Sequence, residues 1–220
     1  MALVKVCGIT NLEDALASVE AGAAALGFNF YRRSPRYVEP RVARQIVGRV
    51  PKEVLCVGVF VNEGGETMRR TLAESGVGAA QLHGDETPRE CASLGLPRVI
   101  KALRVGDDFE PGGAAEFDVE AILLDSFSAS ARGGTGRTFD WRMARRAREL
   151  VPRLFLAGGL TAENVAAAIK AVEPYAVDVC SGVESSPGRK DLGRLREFFA
   201  AVARAPEEEG ARRGAAREKP

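Results

Sequence analysis

Eight short apolar runs, each followed by a stretch that is helical in spacing or cut by Gly and Pro, recur along this 220-residue chain. The runs are Leu3–Cys7, Ala24–Phe28, Val54–Val61, Ala79–Leu82, Val99–Leu103, Ala121–Asp125, Leu154–Ala157 and Ala176–Cys180. They show little polar–apolar alternation, as strands covered on both faces do, and their alternation with helices requires a parallel sheet. A doubly wound open sheet normally uses about five or six strands. Eight β/α units instead predict closure, giving an α/β protein with a single (β/α)8 TIM-barrel domain over residues 1–205. The remaining tail, 206–220, contains Glu207-Glu208-Glu209 and then Arg-, Ala- and Gly-rich sequence without an apolar stripe. Such a segment has nothing to bury and is expected to be disordered, adding nothing to the fold.

The intervening patterns carry their own signals. Thr10 and Glu13 stand at capping-box spacing before Leu12, Ala15, Leu16 and Val19, an apolar stripe for the first helix. Val42 with Ile46, and Met68 with Leu72, mark the second and third. Thr161 is placed to cap a helix with Val165, Ala168, Ile169 and Val172 inward, and Leu192, Leu195, Phe199 and Val202 form the stripe of the last. The fourth and fifth helices are poorly defined, because Pro88, Pro97, Pro111 and Gly112-Gly113 crowd their boundaries. Phe139 and Trp141 are expected to pack the sixth helix on the barrel.

Composition excludes several functions. With a formal net charge of +1 there is no global field for nucleic acid or an anionic membrane. No apolar stretch reaches membrane-spanning length and no signal segment precedes the first strand, so a cytoplasmic location is expected. Cys7, Cys56, Cys91 and Cys180 form no CxxC pair, and His83 is the only histidine. A zinc set is therefore absent, and free thiols in a reducing compartment are expected.

Active sites of parallel barrels lie at the carboxyl ends of the strands. Cys7 closes the first run. A thiol there is a base or nucleophile if its pKa is lowered, and otherwise a small core residue. Lys5, on the same side of that strand, either favours the thiolate or pairs with an inner carboxylate such as Asp178. Asp125 ends the sixth run, where partial desolvation would suit it to general acid work; alternatively it only caps a turn. Gly158-Gly159 after the seventh run and Ser181-Gly182 after the eighth offer bare backbone N–H groups to an anion such as phosphate, although glycines also simply end strands. Arg32, Arg33 and Arg36 lie between Tyr31 and Tyr37, a loop that either grips a carboxylate or is merely solvated. His83 ends the fourth run, as a donor to substrate or as a structural residue. Gly133-Gly134-Thr135-Gly136 lacks the Lys-Ser/Thr of a P-loop and reads as a flexible loop beside the site.

In order along residues 3–203, Val4-Lys5-Val6-Cys7-Gly8-Ile9-Thr10, Ser34-Pro35-Arg36-Tyr37, Val59-Phe60-Val61-Asn62, Gln81-Leu82-His83-Gly84, Leu124-Asp125-Ser126, Gly133–Gly136, Ala157-Gly158-Gly159-Leu160 and Ser181-Gly182-Val183-Glu184 with Pro187-Gly188-x-Lys190-Asp191 resemble the phosphoribosylanthranilate isomerase family. The resemblance implies Cys7 as general base and Asp125 as general acid. It implies Arg36 on an anthranilate carboxylate, Gly158, Gly159, Ser181 and Gly182 around a phosphate, and His83 and Asp178 as supporting residues. It further implies an Amadori rearrangement of a phosphorylated sugar–anthranilate substrate in tryptophan biosynthesis by a monomer or homodimer. No metal or organic cofactor is expected, since the iminium formed in that reaction is its own electron sink. Cys180 departs from the pattern, which commonly has a small hydroxyl residue before the Ser-Gly pair.

Overall fold

The structure is a computed structural model, and it describes residues 1–96, 98–106, 108–126 and 141–205. Strands β1 (Leu3–Val6), β2 (Ala25–Asn29), β3 (Leu55–Phe60), β4 (Ala79–Leu82), β5 (Val99–Val105), β6 (Ala121–Ser126), β7 (Leu154–Ala157) and β8 (Ala176–Val179) close a barrel in sequence order. Each is parallel to its neighbours, and Lys5 pairs with Asp178 where β8 meets β1. All eight lie within about two residues of the apolar runs, because strands buried on both faces announce themselves by continuous apolarity.

Period-two alternation divides their side chains between two cores. Ala25, Val57, Ala79, Ile100, Ala102, Ala121, Leu123, Phe155, Ala157 and Ala176 fill the barrel. Val4, Val6, Leu26, Phe28, Leu82, Ile122, Leu124 and Leu156 face the surrounding helices instead. The interior turns polar toward the carboxyl ends, where Lys5, Gln81 and Asp178 are buried. No helix among the described residues is long and apolar enough to cross a membrane.

The outer layer comprises α1 (Leu12–Glu20), α2 (Pro40–Val47), α3 (Gly65–Ser75), α4 (Pro88–Ser93), α5 (Trp141–Leu150), α6 (Val165–Val172) and α7 (Leu192–Arg204). A 3-10 turn, Pro111–Glu116, replaces the helix between β5 and β6, so the Gly and Pro residues there shortened that unit. Trp141 packs against the outer core as expected, while Phe139, Gly133–Gly136 and the tail 206–220 lie outside the described residues.

Several local expectations are corrected. The cap of α1 is Asn11, whose Oδ1 accepts from Asp14 N at 2.9 Å, while the Thr10 hydroxyl donates to Gly188 O at 2.6 Å. Asp14 and Ser18 are buried with Ala15, and Leu16 is exposed: Asp14 accepts from the Lys190 N–H at 2.9 Å, and the Ser18 hydroxyl donates back to Asp14 O at 2.7 Å. Asn164, not Thr161, precedes α6, and its Oδ1 accepts from Thr161 N at 2.9 Å. On α7 the buried stripe is Leu195, Phe198, Ala201 and Val202, with Leu192 exposed in the first turn. Truncating a fully buried phenylalanine such as Phe198 to Ala costs about 3–5 kcal/mol. A reaching-back hairpin, β9 (Glu184–Ser186) and β10 (Arg189–Lys190), was not expected from the sequence.

Candidate active site

At the β8–β1 side of the mouth, successive inward positions of two paired strands carry Asp178 and Cys180, and Lys5 and Cys7. Lys5 Nζ donates to Asp178 Oδ1 at 2.9 Å, and its charge acts on the Cys7 thiol beside it. Both alternatives for Lys5 therefore hold together. Gly27 on β2 makes the room, because a Cβ there would stand 2.6 Å from Cys7 Sγ and 3.1 Å from Lys5 Nζ.

The Cys7 thiol is held well below its usual pKa. A hydrogen bond from Cys180 is the largest cause; burial opposes it, and the ammonium groups of Lys5 and Lys190 reinforce it. Cys180 is correspondingly pushed well above the usual thiol range by that same bond, then by its own burial. Burial also pushes Asp178 up to about 7 against the pull of Lys5, and the negative charges of Cys7 and Asp125 add to it. The desolvated carboxyl of the mouth is thus Asp178. Asp125, expected to be the desolvated one, has a side chain 34% exposed. Burial works against the charge of Lys5, but Asp178 and Cys7 outweigh it and raise the ammonium above its ordinary value.

Lys190 was missed as a site residue. Its buried Nζ donates to Cys7 O at 2.5 Å and to Glu184 Oε1 at 3.1 Å, and its backbone N–H donates to Asp14 Oδ2 at 2.9 Å. The β9–β10 hairpin thereby returns a cation to the end of β1 across 183 positions of sequence. The only signal was that Glu184 and Lys190 both fall within the quoted family-like segments.

Arg36 arrives from the loop after β2 and is already gripped. Its Nε and Nη2 donate to the Glu184 carboxylate, with Nη2 to Oε2 at 2.6 Å. That contact chiefly raises the guanidinium's affinity for its proton. Burial works against the charge on Glu184, but Arg36 and Lys190 outweigh it and keep its carboxyl below the usual range. The solvated-loop reading therefore fails for Arg36, whereas Arg32 lies over Tyr37 at 5.5 Å and Arg33 is exposed.

Across the barrel, Gln81, His83 and Asp125 form a chain. Gln81 Nε2 is 3.0 Å from His83 Nδ1, and His83 Nε2 is 3.1 Å from Asp125 Oδ2. With the amide so oriented, Nδ1 accepts and Nε2–H donates to the carboxylate. Gln81 Oε1 is buried without a partner among the described residues. Behind this chain, Lys101 points out of the barrel and its Nζ donates to Glu86 Oε2 at 2.7 Å and Gly84 O at 2.8 Å. Glu86 in turn accepts from Asn62 N at 2.8 Å and Gly84 N at 3.0 Å.

The loops after β7 and β8 face each other. Gly158 and Gly159 adopt φ of +89° and +62°, where a side chain is strained. A Cβ on Gly182 would fall on the Leu160 carbonyl oxygen, so only glycine lets the two loops touch. Gly159, Thr161, Ser181, Gly182 and Arg194 line a polar cavity of about 440 Å³, with Glu163 and Glu197 on its wall. Arg194 also donates to Glu184 O at 2.6 Å. The structure thus gathers Cys7, Asp178, Cys180 and Arg36 at one side of the mouth, joins His83 with Asp125, and sets the four loop residues just after two adjoining strands.

A closed parallel barrel of eight strands, with helices between them and titratable side chains gathered at the carboxyl ends, places the chain in the (β/α)8 class. Residues 4–201 match the model of the N-(5'-phosphoribosyl)anthranilate isomerase family. A relative so described from Pelobacter propionicus is 51% identical over 199 residues, covering 90% of this chain and 94% of that one. The crystal structure of phosphoribosyl anthranilate isomerase from Thermotoga maritima superposes with a TM-score of 0.85 at 44% identity, covering 92% of this chain and 99% of that one. A further structure of the isomerase, in complex with reduced 1-(o-carboxyphenylamino)-1-deoxyribulose 5-phosphate, gives 0.82 at 42% identity with the same coverage. The chain belongs to the N-(5'-phosphoribosyl)anthranilate isomerase family. Its activity is an aldose–ketose isomerisation of tryptophan biosynthesis.

Proposed function

We propose that Cys7 and Asp125 carry this isomerisation as base and acid. Asp125, protonated, donates to the furanose ring oxygen of N-(5-phosphoribosyl)anthranilate, and the ring opens to a protonated Schiff base. The Cys7 thiolate removes the proton on sugar C2, and the electron pair moves toward the iminium to give an enolamine. Gain of a proton at C1 and loss of the one on the C2 hydroxyl leave 1-(2-carboxyphenylamino)-1-deoxyribulose 5-phosphate. General acid and base steps of this kind each contribute about 10²–10⁴-fold.

The observation that carries this reading is the placement of the two groups at opposite sides of the mouth. Lys5, Lys190 and Cys180 favour the thiolate at the end of β1. His83 holds one oxygen of Asp125 at the end of β6, leaving the other for substrate. In the same reading the cavity between the β7 and β8 loops takes the phosphate on Gly159, Ser181 and Gly182, with Gly158 shaping the turn. Arg36, steadied by Glu184, presents its remaining N–H groups to the anthranilate carboxylate, and Asp178 tunes the thiol. The cytoplasm is the proposed location. Loss of anthranilate fluorescence from enzymatically generated phosphoribosylanthranilate tests the assignment; a folded protein that leaves the signal unchanged overturns it.

A further inference from the structure

Cys180, the position that departs from the family pattern, stands next to Cys7. The register of β1 with β8 pairs Lys5 with Asp178 and Val6 with Val179, and Cys7 N donates to Val179 O at 2.8 Å. Cys7 and Cys180 are the next residues on the two strands, one position beyond the last registered pair. Neighbouring strands run about 4.8 Å apart, within the Cα separation of about 4.4–6.8 Å that disulfides span. The Cys180 thiol donates to Glu184 Oε1 at 3.7 Å, and its Sγ lies 3.0 Å from the position a Cβ on Gly8, the residue after Cys7, would take. Cys7 and Cys180 are both partly exposed at the mouth, whereas Cys56 and Cys91 are buried.

We propose that Cys7 and Cys180 are a redox pair that a hydroperoxide converts to a disulfide, switching the site off. The Cys7 sulfur attacks one peroxide oxygen; the O–O bond breaks, an alcohol or water departs, and Cys7 becomes a sulfenic acid. Cys180 sulfur then attacks Cys7 sulfur, the S–O bond breaks, and the hydroxyl leaves as water with the proton of Cys180. Two thiols lose two electrons and the peroxide gains them. The held thiolate makes Cys7 the attacking partner, and the adjacent Cys180 intercepts the sulfenic acid before further oxidation. Loss of turnover rests on the reading of Cys7 as the base; formation of the bond does not.

The test treats the full chain with a small excess of hydrogen peroxide and follows intact mass, free thiols, digested peptides and turnover. The expected product is lighter by about 2 Da, has lost two titratable thiols and yields a Cys7–Cys180 linked peptide, all reversed by dithiothreitol. Cys180→Ser should instead take up oxygen at Cys7 and, with further peroxide oxidising the sulfenic to the sulfinic acid, lose the reversal by dithiothreitol. Wild-type protein that ends with oxygen added at Cys7 and no linked peptide overturns the proposal, whether or not the variant folds. A linked peptide with undiminished turnover upholds the pair and overturns the base reading.

Discussion

Lys5 and Lys101 are both buried lysines paired to carboxylates, Lys5 to Asp178 at 2.9 Å and Lys101 to Glu86 at 2.7 Å. Around Lys101 every bond serves the backbone: Glu86 accepts from Asn62 N and Gly84 N, and Lys101 donates to Gly84 O. Around Lys5 the partner is left on the edge of protonation, near 7, and the ammonium's charge also favours the Cys7 thiolate. One ion pair is closed on itself and fixes a loop; the other is open and biases a reacting group. The difference comes from strand register. Lys5 lies on the inner face of β1 and Lys101 on the outer face of β5, so only the first can meet substrate.

The largest expected effects fall on the open side. Cys7→Ser should fold and lose kcat by about 10⁴-fold, because a serine hydroxyl is scarcely ionised near neutral pH. Near-normal turnover in that variant would make Cys7 a packing residue and leave Lys5 with no thiolate to bias. On the opposite side, Asp125→Asn should lose about 10²–10³-fold in kcat with product affinity within tenfold, since the amide keeps the His83 contact but donates no acid proton. If Asp178→Asn proved the more damaging, the acid role would pass to the carboxyl already held near 7.

Lys5 supplies a pH signature. The thiolate is the active form, and the ammonium holds its pKa down. Lys5→Met should therefore move the acidic limb of kcat/KM to higher pH by about 1–3 units. Lys5→Met/Asp178→Asn removes both charges and should bring the limb back toward the wild type. A limb that stays put in the single variant would confine Lys5 to a structural role like that of Lys101. Stability offers a second check. Asp178 has its folded pKa raised, so its ionisation costs the fold stability. That cost is absent below pH about 4, grows through about 7 and is complete above it. Relative to wild type, Asp178→Asn should gain denaturant resistance on going from pH 5 to pH 8.

Arg36→Met is expected to act on binding more than on chemistry, raising KM about tenfold or more with a smaller loss in kcat, because a carboxylate remote from the reacting carbon supplies mostly uniform binding. Glu184 keeps Lys190 as a partner in that variant, so the β1 end should hold. A kcat loss matching that of Cys7→Ser would instead make Arg36 part of the thiolate's support.

These outcomes bear on what sequence could reveal. The strands were legible because continuous apolarity is a local property, and so was the position of Cys7, His83 and Asp125 at the mouth, because each ends an apolar run. Lys190 and Glu184 were not, since their value lies in bonds to Cys7 and Arg36, set by a hairpin whose two short strands carry no apolar pattern. The inward turn of Asp14 and Ser18 was hidden for a related reason: a helix stripe read from apolar residues alone omits polar groups buried against a loop. Asp125 was read as the desolvated strand-end carboxyl and Asp178 as an inner partner for Lys5, and only three-dimensional burial showed Asp178 to be the more desolvated.

The smallest effect on turnover should follow Lys101→Met, although its effect on folding should be large. Removing the ammonium leaves Glu86 buried with only two backbone N–H donors, and breaking a buried pair by deleting one partner costs about 3–5 kcal/mol. The thermal midpoint should fall by many degrees. Per folded molecule, kcat/KM should change only a few-fold, because Lys101 touches His83 solely through the backbone at Leu82 and Gly84. The acidic limb of the pH profile should not move, since Cys7 is held by Lys5, Lys190 and Cys180 on the other side of the barrel. Lys101→Met/Glu86→Gln, which removes both charges, should recover part of the lost stability. A shift of the limb in the single variant, comparable to that of Lys5→Met, would show that the closed pair reaches the chemistry through the β4 loop, and the contrast between the two lysines would collapse.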